Sequence, residues 1–365
     1  MHQLTCPTCH QTPAPLDWRC TNCGSPLELT DLPPFDDSAI DNHVWSLWRY
    51  QAMLPVNPPR FTLGEGMTPL IPTSFDGAGF YAKLDYLNPT GSYKDRGAAV
   101  LLNYLAENGA REVVEVSSGN AGSAVAQYSA GLGLKARVFT PAAAPGGKKR
   151  QIRAAAQLID VPGPRSNVDD ACMEALKSPG VAFASHSWNP YFIAGQMTGA
   201  WELWEQLGRR APEAVACPVG MGCLLLGLYR GFVALRDAGL IERIPRFFAV
   251  QTAASDPIVQ AIEQGLDDVP PVQTQPTVAD GIVIAKPVRS RQVLAAIRDS
   301  GGTAFRVQEA DILPTRDRLA RQGLLVEPTS AATVAALPQI REIYTGNDLA
   351  VVLTGNGLKT LDVTA

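Results

Sequence analysis

A lysine placed where a strand turns into a helix can do chemistry that a surface lysine cannot. Lys94 follows the turn Asn88-Pro89-Thr90-Gly91, with strand-like Phe80-Tyr81-Ala82-Lys83-Leu84 before it and a helical run from Gly97 to Leu105 after it. A desolvated, positioned amine can form a Schiff base with a carbonyl. Three further turns, at the ends of apolar strand-like runs, could hold a ligand: Ser117-Ser118-Gly119-Asn120-Ala121-Gly122, Pro218-Val219-Gly220-Met221-Gly222-Cys223-Leu224 and Leu353-Thr354-Gly355-Asn356-Gly357. The first two lead into helices, whose N-termini present free N–H groups and partial positive charge to a carboxylate or phosphate. Asn120 adds an amide donor. By spacing alone the first turn equally suits an ordinary N-capped connection, and a lone G-x-G is a weak signal.

Four cysteines form a second constellation. Cys6-Pro7-Thr8-Cys9 and Cys20-Thr21-Asn22-Cys23 are two C-x-x-C knuckles separated by ten residues. Four thiolates can close a tetrahedral zinc site with no open position for chemistry, so the expected role is structural, and the metal supplies most of the folding energy of so small a piece. His2 and His10 read as surface residues. Cys217, on an apolar strand, reads as core, and Cys223 as a loop residue instead of a nucleophile.

The elements that must position these residues alternate. Val113–Val116 leads into a helix over Ala121–Ala130, Ala136–Phe139 into one near Gly147, and Leu158–Val161 into one around Asp169–Leu176. Val215–Val219 leads into Leu224–Leu235, and Leu349–Leu353 forms a last strand. Such alternation predicts an α/β fold with parallel sheets flanked by helices. A connector, Asp31 to Asp37, and an arm with Trp45, Trp48 and Tyr50 as packing anchors precede it.

The chain has 365 residues, 46% hydrophobic and 18% charged, with net charge −4 and a pI near 5.7. This suits a well-cored globular protein and gives no electrostatic footprint for nucleic acid or anionic membrane. Residues 1–30 hold one Lys or Arg, Arg19, too few for a ribbon that reads nucleic acid. No secretory signal or apolar run of about 20 residues is present, and the cysteine usage suits a reducing cytosol.

The segment Asn88-Pro89-Thr90-Gly91-Ser92-Tyr93-Lys94-Asp95-Arg96-Gly97 resembles the active-site segment of threonine synthases. Leu63-Gly64-Glu65-Gly66-Met67-Thr68-Pro69-Leu70 and Glu327-Pro328-Thr329-Ser330-Ala331-Ala332 resemble two more of that family's motifs. The resemblance spans nearly the whole chain and implies a fold-type II pyridoxal phosphate (PLP) enzyme of the tryptophan synthase β-like superfamily, with an N-terminal zinc ribbon. It implies that Lys94 carries PLP and acts as general base, and that Asn120 meets the cofactor. It further implies that Ser117, Ser118 and Gly119 take the substrate carboxylate, that Gly220, Met221, Gly222, Cys223 and Leu224 cup the phosphate, and that Thr354 meets the pyridine nitrogen. The expected organisation is a ribbon at 1–30, an arm at 31–60, a large domain at 61–99 and 188–365, and an inserted domain at 100–187. A cytoplasmic homodimer acting on an amino acid completes the expectation.

The chain departs from that family at named positions. Phe192 and Met197 stand where an arginine and a lysine are expected, Ala121 replaces a threonine, and Met221 and Cys223 replace two glycines of the dehydratase cup. An aromatic cannot act as a bidentate phosphate clamp. Lys148, Lys149 and Arg150 could supply charge, though a basic run at a helix start usually reads as solvated surface. The expected activity is elimination or replacement on an amino acid. A serine/threonine dehydratase and a non-catalytic PLP-binding relic are the alternatives.

Overall fold

The computed structural model describes residues 3–144 and 146–361, so His2 lies outside the described residues. In chain order the strands are β1 (Gln3–Thr5), β2 (Glu28–Thr30), β3 (Leu70–Phe75), β4 (Ala78–Lys83), β5 (Glu112–Val116), β6 (Lys135–Pro141), β7 (Gln157–Val161), β8 (Val181–Phe183), β9 (Ala214–Pro218), β10 (Arg246–Thr252), β11 (Thr303–Val307) and β12 (Leu349–Val352). The helices are α1 (Lys94–Glu107), α2 (Asn120–Gly131), α3 (Gly146–Arg153), α4 (Arg165–Ala175), α5 (Pro190–Gln206), α6 (Cys223–Asp237), α7 (Pro257–Glu263), α8 (Ser290–Asp299), α9 (Glu309–Arg321), α10 (Pro328–Ala335) and α11 (Leu337–Ile343). They form two compact units, Met1–Gly66 with Lys94–Gly195, and Met67–Tyr93 with Gln196–Ala365. The α/β alternation read from the sequence is present in both.

In the first unit β1 and β2 pair antiparallel, and β7-β6-β5-β8 form a parallel sheet. Strand alternation divides its side chains between two faces. Val114, Val116 and Phe139 pack with Val168 and Cys172 of α4, while Val138 packs with Ala126 of α2 and Ile152 of α3. Burial pushes the Cys172 thiol up to about 12, so it behaves as core.

The arm is fastened by Glu65, fully buried, whose carboxylate accepts from Trp48 Nε1 (2.6 Å), the Leu63 N–H (2.8 Å) and the Tyr128 hydroxyl of α2 (2.8 Å). Charged acceptors make hydrogen bonds roughly twice as strong as neutral ones, so this one carboxylate ties arm to helix. Trp48 and Tyr50 are buried as expected, but Trp45 is 73% exposed, and its ring centroid is 6.0 Å from the Arg49 guanidinium. The anchor reading fails for Trp45 because the arm turns at Ser46, which caps the following 3-10 turn and leaves the indole outside.

The second unit holds the sheet β11-β10-β9-β12-β4-β3, parallel except for the antiparallel edge strand β3, which carries Pro72 opposite Tyr81. Ala214, Ala216, Phe248, Val250, Leu349 and Val351 form one apolar face with Ala331, Ala332 and Val334 of α10. The alternate residues Val215, Cys217, Phe247 and Ala249 are fully buried as well. Burial on both faces is what near-continuous apolar strands require. A buried ion pair joins β4 to α5: Lys83 Nζ donates to Glu202 (2.7 Å), the Thr68 carbonyl (2.7 Å) and Gln206 Oε1 (2.9 Å). No helix among the described residues is long and apolar enough to cross a membrane.

Candidate active site

Parallel strands present their C-terminal ends on one edge of a sheet, and ligands of α/β folds bind at the loops there. In the second unit β9, β12 and β4 are neighbours, so the segments that follow them leave from one edge. The structure stitches them together. The Tyr93 N–H donates to the Thr354 carbonyl (3.0 Å), the Asn356 N–H to the Gly91 carbonyl (3.0 Å), and Ser92 bridges Gly355. The Tyr93 hydroxyl lies 3.7 Å from Cys223 Sγ. Burial, with the Cys223 thiol beside it, holds the Tyr93 phenol well above its usual pKa, so it stays neutral next to the loop. Three segments singled out in the sequence thus meet around the residue that precedes Lys94.

Thr354 is held by a residue that the sequence places in a motif without a role. Ser330, at the start of α10, accepts from the N–H groups of Thr354 (2.9 Å) and Gly355 (3.0 Å), and the two hydroxyl oxygens are 3.0 Å apart. A hydroxyl has two acceptor lone pairs and one proton. With both lone pairs taken by N–H groups, Ser330 donates to Thr354 Oγ1, which leaves the Thr354 proton to be donated onward. The signal was in the text as the Ser330 of Glu327-Pro328-Thr329-Ser330, but its partner is distant in sequence.

The loop from 219 to 222 ends at Gly222 (φ +82°), where an added Cβ would lie 2.3 Å from Val293 Cγ2. This is the position in the loop that needs glycine. Met221 and Cys223 keep negative φ, so their side chains cost the loop no strain. The first-turn N–H groups of the 15-residue α6 have no intrahelical acceptors. A turn with glycines at 220 and 222 and a helix N-terminus behind it fits a phosphate.

In the first unit Lys94 opens α1 and is buried, with Nζ 5.5 Å from the centroid of the fully buried Phe192 ring. An added Cβ at Gly97 would fall 2.4 Å from that ring, and one at Gly195 only 2.2 Å from the Arg96 carbonyl. These two glycines let the start of α1 and the start of α5 approach. The α2 helix packs on α1 and begins at Asn120. Before it, Ser117, Ser118 and Gly119 are half-exposed; the Gly119 N–H donates to Ser117 Oγ (3.2 Å), and an added Cβ at Gly122 would strike the Ser117 carbonyl at 2.3 Å.

The basic run of α3 differs from its expected solvated state. Lys148 and Lys149 are buried and only Arg150 is exposed. Lys149 Nζ is taken by Asp160 (2.7 Å) and the Pro141 and Ala142 carbonyls. Lys148 runs past the turn, its Cδ 3.9 Å from where a Gly119 side chain would begin. A second unforeseen pair, His186 and the buried Glu115, meets at 2.9 Å, with the imidazole 6.0 Å from Phe192.

The N-terminal cysteines converge. Their four Sγ atoms lie within 4.8 Å of one another, with Cys6–Cys23 and Cys9–Cys20 both at 3.4 Å, and none is in a disulfide. Zinc–sulfur bonds of about 2.3 Å in a tetrahedron place sulfurs about 3.8 Å apart, so the cluster fits that ion. His10 is exposed and outside the cluster.

A family model described as pyridoxal-phosphate dependent enzyme matches residues 61–355. Curated threonine synthases agree: that of Methanosarcina acetivorans is 34% identical over 94% of this chain and 88% of its own length, and that of Synechocystis 35% identical over 86% and 82%. The chain belongs to the threonine synthase family of pyridoxal-phosphate dependent enzymes. It is a PLP-dependent lyase of the fold-type II class. Among solved structures, a threonine deaminase from T.th. superposes with a TM-score of 0.69 at 28% identity, covering 82% of this chain and 94% of that one. An aspartate racemase, 26% identical, gives 0.68 over 79% and 90%.

Proposed function

We propose that this lyase carries out elimination and replacement on an amino acid, with Lys94 as the residue that carries PLP and handles the Cα proton. The observation that carries the reading is the buried Lys94 at the head of α1, continuous with a segment laced to Thr354 and touching Cys223. PLP, when bound, supplies an electron sink for the negative charge that builds at Cα. Gly220, Met221, Gly222, Cys223 and Leu224 would hold its phosphate through backbone N–H groups, Asn120 would donate a hydrogen bond to its phenolate oxygen, and the Thr354 hydroxyl would donate one to the ring nitrogen. A hydroxyl in that place does not keep the ring protonated, which gives a milder sink suited to elimination. Ser117, Ser118 and Gly119 receive the substrate carboxylate, with Lys148 supplying positive charge along the same turn.

Elimination of a β or γ substituent followed by water addition is the first reading, in keeping with the threonine synthases among the relatives. Release of ammonia and a keto acid is the second, and one feature favours it: Phe192 makes the wall beside Lys94 apolar, and a dianionic substrate group desolvated there would be costly. A single zinc in the Cys6, Cys9, Cys20 and Cys23 ribbon, and a cytoplasmic homodimer, belong to the same proposal; the thiolate cluster supports the first of these.

Purified protein should show the visible absorption of bound PLP, lost in Lys94→Ala. A protein that takes up no PLP overturns the proposal. Incubation with O-phosphohomoserine, serine and threonine, following phosphate and keto acid separately, then selects the reaction. Phosphate release supports the first reading; keto acid from serine or threonine without phosphate release selects the second.

A further inference from the structure

Within the first unit, ring contacts from the N-terminal ribbon and from α1 reach the stretch that leads into Phe192. Trp18 sits between the two cysteine pairs in sequence. Its indole meets Phe183 edge-on at 5.2 Å and Trp188 edge-on at 4.9 Å, and the Arg19 guanidinium caps it at 4.5 Å. Phe183 ends β8, and Trp188 stands just before α5. A second tie runs in parallel. The Tyr104 hydroxyl donates to the Pro15 carbonyl (3.0 Å), and the Tyr104 ring stacks on Tyr191 with centroids 3.6 Å apart and planes at 17°. Tyr191 immediately precedes Phe192.

The stretch from 183 to 192 is therefore braced directly by Trp18 at Phe183 and Trp188, and by the Pro15 carbonyl only through Tyr104 of α1, which stacks on Tyr191. The same stretch carries His186, paired with Glu115, and Phe192, whose ring faces Lys94. Leu4 and Leu27 of the ribbon are buried, and its Trp18 packs against the cluster that holds Phe183. Aromatic pairs in edge-on or stacked geometry add directional restraint beyond area burial, and Tyr104 makes its contacts from α1, the helix that Lys94 opens.

We propose that the ribbon is a positioning element for the lyase: Trp18 and the Pro15 carbonyl fix residues 183–192, and through them hold Phe192 against Lys94. The integrity of the four-cysteine cluster then governs turnover at a distance, without any ribbon residue touching substrate. The consequence for catalysis rests on the lyase reading; the restraint on 183–192 does not.

The test uses the full-length, PLP-loaded chain as wild type, Trp18→Ala, Trp18→Phe and Tyr104→Phe, together with wild type treated with a zinc chelator. Amide hydrogen exchange, the PLP absorption band, and kcat and KM are read separately. Trp18→Ala should raise exchange across residues 183–192 about tenfold, the scale of losing two ring contacts. It should lower kcat several-fold with the absorption band intact; Trp18→Phe should restore much of both. Chelation should reproduce the Trp18→Ala pattern. Wild-type exchange in this stretch together with wild-type kcat, in Trp18→Ala or after chelation, overturns the proposal. Should Trp18→Ala fail to fold, Tyr104→Phe, which deletes one hydroxyl, must still raise exchange near Tyr191; no change there overturns it equally. If wild type neither binds PLP nor turns over, the lyase reading fails while the exchange data still decide the restraint.

Discussion

The Phe192 ring lies with its centroid 5.5 Å from Lys94 Nζ, and its edge fills the space a side chain at Gly97 would need. An aromatic face attracts an ammonium by about 0.5–2 kcal/mol, less than the several kcal/mol at stake in a buried ion pair. The contact is therefore a weak one that helps to place the amine.

Gly97→Ala tests this packing. Alanine in a helix interior normally gains about 1 kcal/mol over glycine. Here the new Cβ would lie 2.4 Å from a fully buried ring that has no exit to solvent, and overpacking costs about 1–3 kcal/mol. The urea midpoint should fall, with a larger loss in kcat than in stability, and Gly97→Ala with Phe192→Leu should recover the midpoint. A stabilised single variant would show that the ring moves freely.

Ser330→Ala removes the acceptor for the Thr354 and Gly355 N–H groups. Each buried donor left unsatisfied costs about 1–3 kcal/mol. The expected result is a lower melting temperature and PLP release at dilutions that leave wild type loaded, followed by absorption. Unchanged PLP retention would separate Ser330 from the orientation of Thr354.

Lys83→Met should cost about 3–5 kcal/mol because it removes the ammonium that pairs with the buried Glu202 carboxylate at 2.7 Å. Adding Glu202→Gln should return a large part, since the amide still accepts from the Met67 N–H, now 2.8 Å from the carboxylate. A double-mutant cycle in urea reads the coupling; simple additivity would mean the pair is not coupled.

Acid stability has a traceable contribution from Asp268. Burial pushes its carboxyl up, but the Ser290 hydroxyl, the Val269 N–H and Lys286 outweigh this and hold it at about 2. Its folded pKa is below the unfolded value, so its stabilisation is present above about pH 4 and fades as pH falls towards 2. The group is one-third exposed, and solvent screening limits the effect to about 1 kcal/mol. Asp268→Asn should be less stable than wild type at pH 6, with the gap closing by pH 2. A gap independent of pH would locate the effect in lost hydrogen bonds alone.

The fold and much of the chemistry could be read from the chain because they are written locally. Each strand–turn–helix unit carries its own alternation, and Lys94, Ser117–Asn120 and the 219–224 loop each sit at a junction visible in a few residues. What escaped the reading depends on partners far apart in sequence. Glu65 meets Tyr128, Ser330 meets Thr354, and Trp18 meets Phe183 and Trp188; no local pattern announces such pairs. Lys148 and Lys149 misled for the same reason. A run of charge looks solvated until Asp160 and the Pro141 and Ala142 carbonyls are found waiting for it.

Pro72 lies in the middle of β3, the last strand of the six-stranded sheet. It has no N–H to offer on either side, so an incoming strand would find a gap in the ladder there. The sheet thereby carries a built-in stop against edge-to-edge polymerisation. Replacing Pro72 with threonine would supply the missing donor and turn a guarded border into a template for aggregation.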